Sequence, residues 1–169
     1  FDEPRFKIAW QMTVSVPEGQ EVYSNTPVER ESVEGGRRTV DFFQTRPMPS
    51  YLLALAAGPL ESVAVEGMGV PGRILCVQGK SRLTAETAAM IPPILKALEE
   101  YFGRPYPYAK LDMVAVPEFW AGAMENVGLI TYRETLLLLD PETATTAQRR
   151  AAASVIAHEV AHMWFGNLV

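Results

Sequence analysis

Two histidines four residues apart place the strongest constraint on this chain. They are His158 and His162, the only two histidines among 169 residues, and Glu159 lies between them. On a helix the two imidazoles share one face with Cβ atoms about 5–6 Å apart, which suits one tetrahedral zinc ion. Glu159 lies about 100° further round, where its carboxylate can reach a metal-bound water without binding the metal. The spacing therefore predicts a zinc site with an acid/base carboxylate beside it.

The residues around the motif favour a helix that begins near Thr146. Thr145 and Thr146 are candidate N-caps, an alanine run follows, and Gly166 can end the helix. An apolar stripe lies at separate positions of the same helix: Ile156, Val160 and Met163. Chance occurrence of the motif is disfavoured because both histidines fall within it. We expect this helix to pack against the chain's own sheet, with residues 165–169 loosely held.

Composition and charge limit the classes of function. Hydrophobic residues make up 48% of the chain and charged residues 21%, as in globular proteins with a buried core. The net charge is −5 without a cluster of lysine or arginine, which argues against nucleic acid or anionic membranes as partners. No apolar run is long enough to span a bilayer. Cys76 is the only cysteine, so an internal disulfide is excluded.

The first third of the chain is predicted to be all-β, because no helical period occurs before residue 80. Alternating or continuous apolar residues predict strands at 5–16, 22–24, 28–33, 37–43 and 51–57. The third and fourth of these form a hairpin that turns at Gly35 and Gly36. The last is almost wholly apolar and is predicted to be buried on both faces.

Strand and helix patterns mix after a domain boundary that we place near Gly58. Strands are predicted at 60–65, 73–77, 111–116 and 129–133. A helix capped by Ser81 runs to about Phe102, and Pro92 and Pro93 are expected to kink it or divide it in two.

The segment Gly-Ala-Met-Glu-Asn at 122–126, followed by the zinc motif, strongly resembles the M1 family of zinc aminopeptidases, a branch of the thermolysin-like gluzincins. Further stretches that resemble family signatures are 1–7 (with Asp-Glu-Pro), 106–107, 110–113 and 126–134. The resemblance runs the whole length of the chain, and the two principal motifs occur in the family's order.

The resemblance implies an α+β fold made of parts of two domains. Residues 1–58 would be the C-terminal part of an all-β N-terminal domain. Residues 59–169 would be the N-terminal part of a thermolysin-like catalytic domain, a mixed sheet with the zinc-motif helix packed beneath it. Because the chain does not start with methionine, we expect it to be an excerpt of a longer protein.

The resemblance also assigns roles in removing N-terminal residues from peptides by attack of a zinc-bound water. His158 and His162 would bind zinc, Glu159 would be the general base, and Glu125 would hold the substrate's free α-amino group. The substrate-binding segment would comprise Gly122, Ala123, Met124, Glu125 and Asn126, with the first two lining an edge strand along which the peptide docks. Peptides with a free N-terminal amine would be the partners.

Three parts of such a site are expected to lie outside this chain: a glutamate as third zinc ligand, an oxyanion-stabilising tyrosine and a second amine-binding carboxylate. The chain alone is therefore expected to be inactive. Three alternatives stay open: a thermolysin-like endopeptidase, an epoxide hydrolase of the leukotriene type, and a noncatalytic peptide-binding fragment. Glu125 argues against the first, and the intact zinc motif argues against the last.

Overall fold

Three β-sheets and two long helices make up the α+β fold of residues 3–169. The computed structural model describes residues 3–169, so Asp2 of the Asp-Glu-Pro signature lies outside the described part. The fold divides into antiparallel sheets built by the first 58 residues and a mixed sheet with helices built by the rest.

Two small antiparallel sheets form the first part. Their strands are β1 (Thr13–Pro17), β2 (Glu21–Ser24), β3 (Val28–Glu34), β4 (Arg37–Phe42) and β5 (Leu55–Gly58). Strands β1, β4 and β3 form one sheet in that order, and β2 pairs with β5 in the other. The predicted hairpin is confirmed: Glu34 pairs with Arg37, and the glycines between them have φ values of 57° and 73°.

Two strand predictions in this part are wrong in extent. The regular strand predicted over 5–16 begins only at Thr13, although Ile8 makes an isolated bridge with Met48. The stretch predicted as one buried strand over 51–57 contains a 3-10 turn at Ser50–Leu52, and only β5 is extended and paired. At this turn Leu52 is buried against Met48 and Val127 instead of lying in a sheet.

A five-stranded mixed sheet forms the centre of the second part. It contains β6 (Leu60–Ala64), β7 (Gly72–Val77), β8 (Leu111–Val116), β9 (Ala123–Met124) and β10 (Leu129–Arg133) in the order β6-β7-β8-β10-β9. The inner pairs β7–β8 and β8–β10 are parallel, and both edge strands pair antiparallel. Strand β9 is thus an edge strand.

The helices are α1 (Ala85–Phe102), α2 (Glu134–Leu137) and α3 (Thr146–Ala161). Ser81 does not cap α1; it begins a separate 3-10 turn, Ser81–Thr84. Pro92 and Pro93 do not divide α1, which runs unbroken through both residues. Helix α3 ends at Ala161, so Gly166 lies in the following turn and is not the helix terminator.

The main core lies between the mixed sheet and the two long helices. Helix α3 buries its apolar stripe there, as predicted, and α1 contributes Ile91 and Leu95. Trp164 follows α3 and stacks on Phe102 with ring centroids 5.2 Å apart. Within residues 165–169, which were expected to be loosely held, Asn167 is only 6% exposed, whereas Phe165 and Val169 are 73% and 75% exposed. This packing fixes the zinc-motif helix against the sheet.

Candidate active site

A capping box sets the start of helix α3. The Thr145 hydroxyl accepts a hydrogen bond from Gln148 N at 3.2 Å, and Gln148 Oε1 accepts one from Thr145 N at 2.8 Å. These bonds satisfy two main-chain N–H groups at the helix start. The helix then runs to Ala161, so His158 lies in its last turn and His162 is its C-cap.

The two imidazoles converge as one metal ion would require. Their Nε2 atoms are 3.2 Å apart, and the ring planes are nearly perpendicular at 86°. Two nitrogens bound to one tetrahedral zinc at about 2.0–2.1 Å lie about 3.3 Å apart. Nδ1 of His162 lies 3.3 Å from the Phe165 carbonyl oxygen, a position that suits an Nδ1–H donor and leaves Nε2 free as ligand. The donor geometry therefore fits a zinc ion.

Glu159 is a buried carboxylate with an unpaired oxygen. It is 5% exposed, and Oε2 has no hydrogen-bond partner within the described part of the chain. Burial, together with the nearby negative charge of Glu125, raises the pKa of Glu159 to about 7, and His162 opposes that rise. A buried polar atom without a partner calls for an ion, a water or a substrate.

Glu125 lies beside this carboxylate. One ligand atom from each of Glu125, Glu159 and His162 falls within 4.8 Å of the others. The structure thus brings together two distant segments, 122–126 and the zinc motif, that sequence reasoning had linked. Within residues 3–169, no other histidine, cysteine or carboxylate joins this group; His158 lies outside it, although its Nε2 is 3.2 Å from Nε2 of His162.

The edge strand β9 presents the segment that contains Glu125. Ala123 pairs with Tyr132 and Met124 with Thr131, while the Gly122 carbonyl accepts a hydrogen bond from Arg133 N at 2.9 Å. In the described part of the chain, no strand pairs with the opposite edge of β9. An extended peptide can add to such an edge by main-chain hydrogen bonds.

Three buried asparagines hold the main chain around Glu125. Asn126 donates to the Tyr51 carbonyl at 3.3 Å and accepts from Thr131 Oγ1 at 3.0 Å. The other two donate from Nδ2 to the carbonyl oxygens of neighbouring residues: Asn25 to Val127 at 2.8 Å and Asn167 to Glu125 at 2.9 Å. The side chain of Asn126 is therefore occupied within the protein.

Sequence reasoning singled out Asn126 but missed Asn25 and Asn167. Neither stands at a spacing that indicates a site, and an asparagine that bonds a distant carbonyl leaves no local pattern.

Arg133 holds the loop that precedes β9. Its Nε donates to the carbonyl oxygens of Phe119 and Ala121 at 3.1 Å, and Nη2 donates to that of Trp120 at 2.6 Å. The same loop contains Glu118 in the left-handed region with φ 53°, an uncommon conformation for a residue other than glycine. One guanidinium thus fixes three successive peptide groups beside the strand.

Comparison with known proteins agrees with this geometry. The family model for the Peptidase family M1 domain matches residues 87–169, and that for the Peptidase M1 N-terminal domain matches residues 1–52. The chain belongs to peptidase family M1. Family M1 is a metallopeptidase family, which accords with the converging imidazoles. Its two family models match in the order expected for an N-terminal domain followed by the start of a catalytic domain.

Several M1 relatives are similar over the whole chain. Aminopeptidase M1-B of Oryza sativa subsp. japonica is 42% identical over 172 residues, covering 100% of this chain and 19% of that protein. Glutamyl aminopeptidase of Bos taurus is 42% identical, covering 100% of this chain and 18% of its own length. Leucyl aminopeptidase of Saccharolobus solfataricus is 40% identical, with 100% and 21% covered. The chain therefore spans about a fifth of the length of the curated relatives it matches.

No helix within residues 3–169 combines the length and the apolar character needed to cross a bilayer.

Proposed function

We propose that this chain is part of a zinc aminopeptidase and contributes two metal ligands, the general base and the amine-binding segment. The observation that supports this most directly is Glu159, a buried carboxylate with one unpaired oxygen, within 4.8 Å of a carboxylate oxygen of Glu125 and a ring nitrogen of His162. Relatives that bear aminopeptidase names match the whole chain.

The metal would be held by Nε2 of His158 and Nε2 of His162, whose separation suits a single ion. When bound there, zinc would supply Lewis-acid activation of a water molecule and of the scissile carbonyl. Because His158 is exposed, the site is open on the side where a further ligand can approach.

Glu159 would act as general base and then as general acid. A group with a pKa near neutrality can take a proton from the attacking water and return it to the leaving amine. Burial excludes bulk water around Glu159, so the proton passes between groups in the site.

Glu125 would pair with the ammonium group of the substrate's first residue. Such a charge-assisted hydrogen bond favours peptides with a free N-terminus. An internal peptide bond offers no ammonium and would leave the carboxylate desolvated without a partner, so endopeptidase activity is disfavoured.

The rest of the segment would guide the peptide main chain. Gly122 and Ala123 lie on the open edge of the sheet, and small residues there let a substrate strand approach. Met124 continues the strand. Asn126, with both ends of its carboxamide bonded, would shape the segment from behind instead of contacting substrate.

The domain boundary proposed at Gly58 is supported by the strand order. Strand β5 ends at Gly58 and pairs with β2, whereas β6 starts at Leu60 and belongs to the mixed sheet. We infer that residues 1–58 and 59–169 belong to different domains of the parent enzyme.

An epoxide hydrolase of the leukotriene type is the second candidate, because the same metal and carboxylates could serve it. A noncatalytic peptide-binding fragment is disfavoured, since it has no use for Glu159 as an unpaired buried acid.

The full-length enzyme that contains this chain should be assayed on an aminoacyl chromogenic substrate, with and without a chelator. Turnover that is lost on chelation and restored by zinc supports the proposal; chelator-resistant turnover, or none on any free-amine substrate, contradicts it.

A further inference from the structure

The main-chain pairing of strand β9 ends just before Glu125. Ala123 and Met124 pair with β10, and the chain then turns, with Asn126 N donating to the Met124 carbonyl at 2.9 Å. Glu125 therefore lies outside the ladder. The sheet alone does not fix the orientation of its peptide group.

Asn167 supplies a bond at this point. Its Nδ2 donates to the Glu125 carbonyl oxygen at 2.9 Å, across 42 residues of chain. The donor is well placed to hold one geometry because Asn167 is 6% exposed and packs with Nδ2 3.8 Å from Met163 Sδ. A buried hydrogen bond of this kind is costly to break without replacement.

Asn167 is itself tied to the end of helix α3. Its main-chain N donates to the His162 carbonyl oxygen at 3.1 Å, and Met163, which it contacts, is fully buried. One residue thus connects the main chain of a metal-ligand candidate to the main chain of the amine-binding candidate.

We propose that Asn167 is a positioning residue that sets the distance between the substrate's ammonium site and the metal centre. The inference rests on the proposed function and deepens it. A carboxylate at a fixed distance from the metal accepts the ammonium only when the first peptide bond lies at the centre. Asn167 therefore determines the register that makes the enzyme remove one residue at a time.

The test uses two inhibitors on the full-length enzyme: an aminoacyl hydroxamate and the same hydroxamate without its α-amino group. Both can bind the metal through the hydroxamate, so the ratio of their inhibition constants reports the ammonium contact alone. In Asn167→Ala we expect the preference for the amino compound to fall by about tenfold, comparable to loss of a charge-assisted hydrogen bond. The inhibition constant of the compound without the amine should stay within about twofold of wild type.

Thr87→Val is the matched control. Thr87 is fully buried on α1, and its hydroxyl donates to the Leu137 carbonyl oxygen at 2.8 Å. The variant loses one buried side-chain-to-carbonyl bond away from Glu125, so thermal stability should fall while the inhibitor ratio stays unchanged. Asn167→Gln keeps a carboxamide but displaces it by one methylene, and should give an intermediate ratio.

The outcomes separate the two proposals. A wild-type enzyme that binds both inhibitors equally would overturn the proposed function itself. A wild-type preference that Asn167→Ala and Asn167→Gln leave unchanged, or a proportional loss for both inhibitors, would overturn only the positioning role. Failure of both variants to fold would also overturn it, because Asn167 would then serve the fold and not the register.

Discussion

Glu159 and Glu125 lie within a few ångströms of each other but in different surroundings. Glu159 is buried with one oxygen unpaired, whereas Glu125 is half-buried at the end of an edge strand. Burial favours the protonated form and suits a group that exchanges protons, while an accessible carboxylate suits an incoming ammonium. The two surroundings therefore support two different roles.

Replacing the proposed base should leave the metal in place. In the full-length enzyme, Glu159→Gln keeps the shape of the side chain but cannot accept a proton, so kcat should fall by at least about 10²-fold. Zinc content, measured by elemental analysis, should match wild type. His158→Ala is the comparison variant and should lose zinc. Zinc loss in Glu159→Gln would mean that this residue is a ligand.

Removing the amine-binding carboxylate should affect substrates selectively. Glu125→Ala removes a charge-assisted contact of about 1.5–3 kcal/mol, so kcat/KM for free-amine substrates should drop by at least about tenfold. N-acetylated substrates, poor for wild type, should be almost unaffected. Steady-state kinetics on both substrate types checks this, and equal losses would indicate a structural role for Glu125.

At the scale of elements, β9 is short and depends on neighbouring groups for its shape. It has two paired residues, an open edge and a preceding loop held by the Arg133 guanidinium. A two-residue strand has too few ladder bonds to be rigid alone. Side chains outside the strand must therefore supply further hydrogen bonds that hold its conformation.

Loss of the guanidinium should loosen that loop. Arg133→Ala removes three bonds to carbonyl oxygens, so hydrogen exchange over residues 117–124 should rise while exchange in α1 stays unchanged. Mass spectrometry of the exchanged chain measures both. Arg149→Ala is a suitable control, because it removes an ion pair to Glu86 at 2.8 Å without touching the loop. Equal exchange in both variants would contradict the role of Arg133.

The zinc-motif helix could be predicted because its signals are local. The Thr145 cap, the apolar stripe and the histidine spacing all lie within one segment. The strand predicted over 51–57 is wrong in extent, because an apolar stretch does not reveal what buries it. Leu52 is buried because it packs with Met48 and Val127 where the chain crosses the amine-binding segment. Helix α1 was predicted, but the division at Pro92 and Pro93 that the sequence allowed does not occur, although each proline removes a helical N–H donor.

At the scale of the molecule, the site is assembled from both parts of the chain. Asn25, from the first part, bonds the Val127 carbonyl, and Gly128 approaches so closely that an added Cβ would lie 2.2 Å from the Asn25 carbonyl oxygen. The Leu52 and Tyr51 carbonyls accept bonds there as well. The antiparallel part therefore contacts the amine-binding segment through Asn25 and Tyr51, while Asn167, in the turn after α3, bonds the Glu125 carbonyl.

The isolated chain should bind zinc weakly and have no peptidase activity. The described residues offer two imidazoles, and the adjacent carboxylates are proposed for other roles, whereas a catalytic zinc normally has three protein ligands. Calorimetric titration with zinc should show affinity orders of magnitude below that of a three-ligand site. Tight stoichiometric binding accompanied by turnover of an aminoacyl substrate would prove this expectation wrong.

In the strand order of residues 3–169, β9 pairs with β10, and β10 connects it to β8 and the rest of the mixed sheet. Strand β9 pairs with β10 across the short connection at residues 125–128, whereas the parallel β8–β10 pair closes the longer connection over residues 117–128. The amine-binding segment therefore needs two later parts of the chain: β10, which pairs with β9, and Asn167, which bonds the Glu125 carbonyl. A nascent chain released before residue 129 contains every residue of that segment but lacks the neighbour that gives it form.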